Sequence, residues 1–402
     1  METLGLYVQI PFCASKCSYC NFTSQVARAG VFDSYCRAVE LEIERLPDLY
    51  EAQNIEKHLL DLPVDTLYVG GGTPTIVGAE HLASILKAAR ERFQLDAVFE
   101  FTFEITPGSA DTGFFAWARA EGVNRLSVGA QSFHDQELSS VGRLHSAAET
   151  RELILQARRA GFANLGLDLI AGLPHQTEAS WLESLRVTAE IRPEHISIYL
   201  FEVDEKSRLG SEVLRHGTRY HAETVPDENF MAEAYETARA FLRHERYIQY
   251  EISNFALPGC ESRHNQKYWK LEPYLGLGAG AHSFDGEWRW ANETSPEGYA
   301  QRLAHGDSPI TEFRLLSPEE QLEEFFFVGL RQSEGVDLAL ASRRWGGSRV
   351  ARWEPAISAL AQRGWLERRA NQVRLSEQAY LISNEVFQEF VTAKSYVVSG
   401  QL

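Results

Sequence analysis

The chain has 402 residues, 44% of them hydrophobic and 24% charged, and a net charge of −17 from 39 basic and 56 acidic side chains. That length suits two domains with a well-buried core, while the acidity excludes sequence-independent binding to nucleic acid, which needs a cationic surface. No apolar run approaches the ~20 residues that span a bilayer, and Met1-Glu2-Thr3 followed by a short apolar stretch is no secretory signal, so a cytoplasmic protein is expected.

In chain order, apolar and β-branched runs at Leu6–Ile10, Thr66–Val69, Phe99–Glu104, Arg125–Gly129, Asn164–Ile170 and His195–Leu200 read as strands. Helical periodicity fills the intervals at Ser34–Leu46, Glu80–Phe93, Thr112–Glu121, Ala147–Ala160 and Ala179–Ile191. This alternation implies parallel strands joined by right-handed crossovers. Six such units suit an open partial barrel or a doubly wound sheet, and periodicity does not choose between them. Either architecture gathers ligands at the C-terminal ends of the strands.

Beyond Phe201 the pattern loosens into the polar loop "EVDEKSRLGSEVLRHG", a helix over Asp227–Glu245 and a candidate strand over Gln249–Phe255. From about Ser317, helices over Glu319–Arg331 and Arg352–Arg363 precede "WLERRANQVRLS", a two-stranded wing around Ala370-Asn371. These predict a mainly helical, winged-helix-like C-terminal domain. The division is placed at residues 1–295 and 296–402, within Glu293–Phe313.

Three of the five cysteines, Cys13, Cys17 and Cys20, form C-x3-C-x2-C just after the first strand. An odd, clustered set does not make a secreted disulfide framework, and in a reducing compartment close thiols point to metal. Structural zinc wants four protein ligands, and a fourth is absent nearby: Cys36 lies in a helical segment, Cys260 is remote, and the nearest histidine is His58. A cubane iron–sulfur cluster is held by thiolates at this density. Three thiolates would leave one iron open to a small molecule; zinc stays as the alternative.

After the second strand, "YVGGGTPT" places three glycines in a tight turn that lets a ligand approach the backbone closely. It is not a P-loop, since no Gly-Lys-Ser/Thr follows. Polar residues then recur at or near strand ends: Glu104, Gln131, Arg143 and Asp168. Converging on one barrel mouth, they would supply acceptors and one cation to a polar ligand.

The cysteine spacing after a first strand, with Tyr19 before the third cysteine, resembles the radical S-adenosylmethionine (SAM) family. The resemblance implies a partial (β/α)6 barrel of α/β class, a [4Fe-4S] cluster on Cys13, Cys17 and Cys20, and SAM chelated to the open iron and cleaved on reduction to a 5′-deoxyadenosyl radical. "YVQIPFCASKCSYCNF", "GGGTP", "GVNRLSVGAQSF", "VGRLHS", "LDLIAGLP" and "YLGLGAGAHSF" are similar to the coproporphyrinogen III dehydrogenase-like branch. Carried over position by position, Tyr7, Gly71, Gly72, Thr73, Glu104, Gln131, Arg143 and Asp168 would contact SAM, and Phe22 would border the site.

The porphyrinogen-oxidising members carry a further cysteine two positions after the third ligand and an extension ahead of the first strand. Here that position is Phe22 and the strand begins by residue 6. "RHNQKYW" (263–269) also matches the H-N-x-x-Y-W motif of HemW-type heme chaperones. This closer resemblance implies a protein that binds heme and delivers it to acceptor proteins such as respiratory ones, with at most peripheral membrane contact. His264 would be an axial ligand, Asn265, Tyr268 and Trp269 would complete the motif's heme site as a partly aromatic wall, and Lys267 or Arg263 would meet the propionates. Two other assignments stay open: His282 as the ligand, or His264 as a packing residue bonded to a backbone carbonyl. The alternative function is an oxygen-independent coproporphyrinogen III dehydrogenase; a zinc-stabilised binding module is the third. "GLGAGA" (276–281) fits a dinucleotide fingerprint but lacks the flanking strand and helix, so no such site is expected.

Overall fold

A computed structural model describes residues 2–26, 30–53, 55, 57–95 and 98–391. Six strands, β1 (Leu4–Ile10), β2 (Val64–Gly71), β3 (Glu100–Ile105), β4 (Arg125–Gln131), β5 (Asn164–Ala171) and β6 (His195–Leu200), pair in parallel and in chain order. A doubly wound sheet reverses its strand order partway; this one does not, so right-handed crossovers carry every helix to the same face and the sheet curls. The open alternative is thereby settled for the partial barrel.

Crossover helices α1 (Gly30–Gln53), α2 (Ala79–Arg92), α3 (Thr112–Ala120), α4 (Ala147–Arg159) and α5 (Glu178–Ile191) cover the outer face. Their apolar residues recur at helical spacing, as with Leu82, Ile85, Leu86 and Ala89 of α2. Ser146 opens α4 with a capping box that also uses Glu149. Along β1, Leu4, Leu6, Val8 and Ile10 join the core beneath the helices, while Gly5, Tyr7 and Gln9 alternate to the concave face. That concave face carries the polar residues.

The barrel does not close. After α6 (Glu228–His244), β7 (Asn254–Ala256) pairs antiparallel with β6. The strand expected over Gln249–Phe255 is in fact a hairpin of Ile248–Gln249 with β7. "RHNQKYW" forms a helix, α7 (Arg263–Lys270), N-capped by the Ser262 hydroxyl. On the other edge, β8 (Tyr274–Leu277) lies parallel to β1, followed by antiparallel β9 (His282–Phe284) and β10 (Trp288–Asn292). A strand therefore does precede "GLGAGA", contrary to expectation, but a second strand follows where a dinucleotide site needs a helix. Glycine hid this strand, and glycine is required: a Cβ on Gly276 would stand 2.2 Å from the His282 carbonyl oxygen.

After α8 (Pro296–His305), β11 (Ile310–Leu315) pairs with β10, so the main sheet runs across the 295/296 division and ends at Leu315. The C-terminal layer follows from α9 (Pro318–Gly329). It has helices Leu338–Trp345, Gly347–Ala351 and Glu354–Gln362, and a sheet whose wing strands Leu366–Arg369 and Gln372–Leu375 turn at Ala370 (φ 55°). Arg289 of β10 locks α9 to the sheet, reaching Glu324 at 2.6 Å and the Tyr274 hydroxyl at 2.8 Å. Among the described residues, no helix is long and apolar enough to cross a membrane.

Candidate functional site

The cysteine loop leaves β1 at Pro11 and is tied down on every side. Phe12–Cys13 pairs with Gln25–Val26. The amides of Gly72 and Thr73 donate to the carbonyls of Ile10 (2.9 Å) and Phe12 (2.7 Å), so the glycine turn after β2 clasps the base of the loop. A Cβ on Gly72 would come within 2.4 Å of Phe12 O, leaving room only for glycine. Lys16 closes the loop internally on the carbonyls of Phe22 and Ser24, both at 2.7 Å. Asn21 donates to Asp204 at 2.9 Å.

Cys13, Cys17 and Cys20 are half-buried free thiols. Burial pushes the Cys13 thiol up against the opposing hydrogen bonds from Thr73 and Ser24, and the neighbouring Cys20 and Cys17 add to it. Among the described residues, no three His, Cys, Asp or Glu side chains are drawn together as a metal site; the thiols share a loop without a fourth ligating side chain. Arg143 stands over them, with Nη1 3.8 Å from Cys17 Sγ and Nη2 donating to Gly129 O at 2.6 Å. Burial works against its charge, but Tyr19 and Cys17 hold it above the ordinary arginine range. Its buried Nε has no partner.

Below the loop, a polar column lines the concave face. Glu104 accepts from the Tyr68 hydroxyl (2.7 Å) and the Gly71 amide (2.9 Å); Gly71 sits at φ 112°, a conformation suited to glycine. Burial raises the Glu104 carboxyl against these two bonds, and Asp168 raises it further. Asp168 is likewise raised by burial, opposed by Ser197, Arg125 and Ser127. Tyr7 donates to the Gln9 side chain, whose amide donates to Thr23 O at 3.3 Å. Gln131 adopts φ 67° where the β4–β5 register slips. The structure thus brings Tyr7, Gly71, Gly72, Thr73, Glu104, Gln131, Arg143 and Asp168 to one face and mouth, while Phe22 stands 60% exposed at the rim.

Sequence reasoning missed Gln9, Tyr68, Arg125, Ser127 and Ser197 on the same face. The signal was present: in "TLYVG", "RLSVG" and "HISIY", polar residues alternate with apolar ones at the strand period of two.

The H-N-x-x-Y-W motif lies at the opposite end of the barrel from the cysteines. The Glu100 carboxylate accepts from the first amides of α7, Arg263 and His264, each at 2.9 Å, an anion placed at a helix N-terminus. His264 is 1% exposed, with Nδ1 2.9 Å from Thr66 Oγ1 and Nε2 2.8 Å from the Tyr268 hydroxyl. Burial, then Lys267 and Arg125, lower its pKa to about 3. Lys267 is buried against Asp65 at 2.9 Å, and Arg263 lies over the Phe99 ring at 3.5 Å. Trp269 packs on Tyr250 at 5.9 Å, and Asn265 sits in the capped first turn. The motif closes the barrel floor. Both His264 ring nitrogens are engaged by side-chain hydroxyls, where the packing alternative had a backbone carbonyl. His282 is exposed, on the edge-strand extension.

A model of the radical SAM superfamily matches residues 7–187, and one of the HemN C-terminal domain matches residues 316–382. The heme chaperone HemW of Bacillus subtilis is 32% identical over 96% of this chain and 98% of its own length. That of Escherichia coli is 31% identical over 82% and 87%. The mitochondrial radical S-adenosyl methionine domain-containing protein 1 of Bos taurus is 34% identical over 83% and 74%. The structure of E. coli coproporphyrinogen III oxidase (HemN) superposes with a TM-score of 0.83 at 24% identity, over 97% of this chain and 90% of that one, which speaks for the fold. With its parallel partial barrel, its cysteine loop and this near-full-length likeness, the chain belongs to the radical SAM superfamily and, within it, to the family of the HemW heme chaperones.

Proposed function

We propose that the chain is a heme chaperone, binding heme and passing it to acceptor proteins, and that it carries a [4Fe-4S] cluster and SAM at the barrel mouth. The observation that carries this reading is the likeness to a heme chaperone over 96% of the chain and 98% of the relative.

The mouth suits the cofactors. Three free thiols on one clamped loop meet the donor set of a cluster with one open iron. The unpartnered Nε of Arg143 and the glycine turn that clasps the cysteine loop leave a polar cradle. When bound, the pair supplies one-electron chemistry on SAM. Cys13, Cys17 and Cys20 hold the cluster; Arg143 takes the SAM carboxylate; Glu104, with Gly71, Gly72 and Thr73, takes its amino group. Tyr7, Gln131 and Asp168 serve the remaining polar atoms, and Phe22 edges the site. We place the protein in the cytoplasm, with no nucleic-acid partner and at most peripheral contact with a membrane during delivery.

The test is anaerobic reconstitution with iron and sulfide, one titration with heme, and one incubation with coproporphyrinogen III, SAM and reductant. Near-stoichiometric heme binding without decarboxylated product is expected. Protoporphyrinogen IX in the second assay would make the chain a coproporphyrinogen III dehydrogenase instead.

A further inference from the structure

Heme poses three demands on a surface: an imidazole for iron, an apolar face for the macrocycle, and cations for two propionates. With the H-N-x-x-Y-W motif spent on the barrel floor, those demands need meeting elsewhere. We infer that heme docks on the segment between β6 and α6, with His221 as the axial ligand and His175 as the residue that positions it; this rests on the heme-chaperone reading.

His175, in the loop after β5, and His221, in the turn Arg219–Thr224, touch ring to ring, with centroids 4.9 Å apart at 59°. At that distance no macrocycle fits between them, so one ring ligates and the other steadies it. Unlike His264 and His195, neither ring has a hydrogen-bond partner among the described residues, and His221 is exposed. The backbone holds them at a cost. His175, His216, Tyr220 and His221 all have φ between 54° and 64°, four of the nine non-glycine residues with positive φ among those described, a conformation sparse for such side chains and enriched at ligand clamps. The His175 amide donates to Thr224 O at 3.0 Å, tying the two loops together.

Around the pair stand the other two chemistries. Arg208 and Arg219 flank the Tyr220 ring at 5.2 and 5.4 Å. These two and Arg215 are exposed and form no ion pair among the described residues, in a chain of net charge −17. Leu214, beside Arg215, is 54% exposed. The inner side of the segment is anchored instead: Leu209 and Ala222 are buried with Val141, and Val213, Tyr220 and Tyr19 pack against them. The Leu209 amide donates to Ser18 O at 2.8 Å, so occupancy of this segment bears directly on the cysteine loop.

The test uses the full chain with hemin, oxidised and after dithionite. His221→Asn keeps a residue tolerant of positive φ and is expected to lose the imidazole-ligated Soret spectrum and weaken Kd at least ~10-fold, about 1.4 kcal/mol. Arg215→Glu/Arg219→Glu is expected to weaken Kd by about tenfold with the ligated spectrum kept. Should a variant misfold by circular dichroism, hemin protection of His175 and His221 from diethyl pyrocarbonate in the unmutated chain decides in its place. An unchanged spectrum and Kd in a folded His221→Asn, or absence of that protection, overturns this site while heme binding stands. Failure of the unmutated chain to bind hemin overturns both.

Discussion

His264 and Tyr268, one turn apart on α7, share a hydrogen bond of 2.8 Å, while the second ring nitrogen of His264 meets Thr66 of β2 at 2.9 Å. The imidazole therefore joins the barrel floor to the strand that carries Tyr68, whose hydroxyl bonds Glu104 at 2.7 Å. His264→Ala leaves two buried hydroxyls without a partner and a cavity beneath the sheet, at a cost of about 2–4 kcal/mol. A lowered denaturant midpoint is expected, together with an unaltered heme spectrum in the protein that stays folded. Loss of the ligated spectrum without loss of stability would return His264 to the role of ligand.

Gly72→Ala places a methyl 2.4 Å from Phe12 O. The clash falls on backbone, so the clasp between the β2 turn and the cysteine loop must open. Reconstituted iron and sulfide per chain are expected to fall by more than half, with a lowered Tm because Phe12 is fully buried in the core against Phe32 and Tyr35 of α1. Full cluster loading would show that the loop forms independently of this clasp.

Glu104→Gln removes the acceptor for one of the two donors, Tyr68 or the Gly71 amide, and with it the negative charge proposed to face the SAM amino group. Losing a charge-assisted bond costs about 1.5–3 kcal/mol. SAM affinity, measured by equilibrium dialysis on the reconstituted protein, should fall at least ~10-fold, while hemin affinity stays unchanged. Equal SAM binding would remove Glu104 from the site.

Glu42 of α1 accepts from the Gly278 amide (2.8 Å), Asn292 (2.6 Å) and the Tyr299 hydroxyl (2.5 Å), yet burial still raises its pKa to about 7. A carboxyl raised from its ordinary value near 4.5 favours the folded state most when protonated. That contribution is complete below about pH 4.5 and is lost as pH rises through 7. Relative to Glu42→Gln, the parent should lose about 2.5 kcal/mol of stability between pH 5 and pH 8 by urea unfolding. Parallel pH profiles for the two would mean that the three donors hold Glu42 ionised throughout.

The alternation of strands and helices, the thiols of Cys13, Cys17 and Cys20 on one loop, and the polar residues at strand ends were legible in the sequence, because each depends on spacing along a few residues of chain. The wing around Ala370 was legible for the same reason. The choice of barrel over doubly wound sheet was not, since strand order is a property of pairing between distant segments. The same holds for β8, whose Gly276 breaks the apolar pattern and makes sense only against His282 O. It holds again for "RHNQKYW", whose residues looked free to take a ligand until burial and Thr66 engaged the imidazole. Local spacing determined which chemistry the chain carries; tertiary packing decided which of those side chains remain available, because a polar group taken out of water must find its partner within the fold.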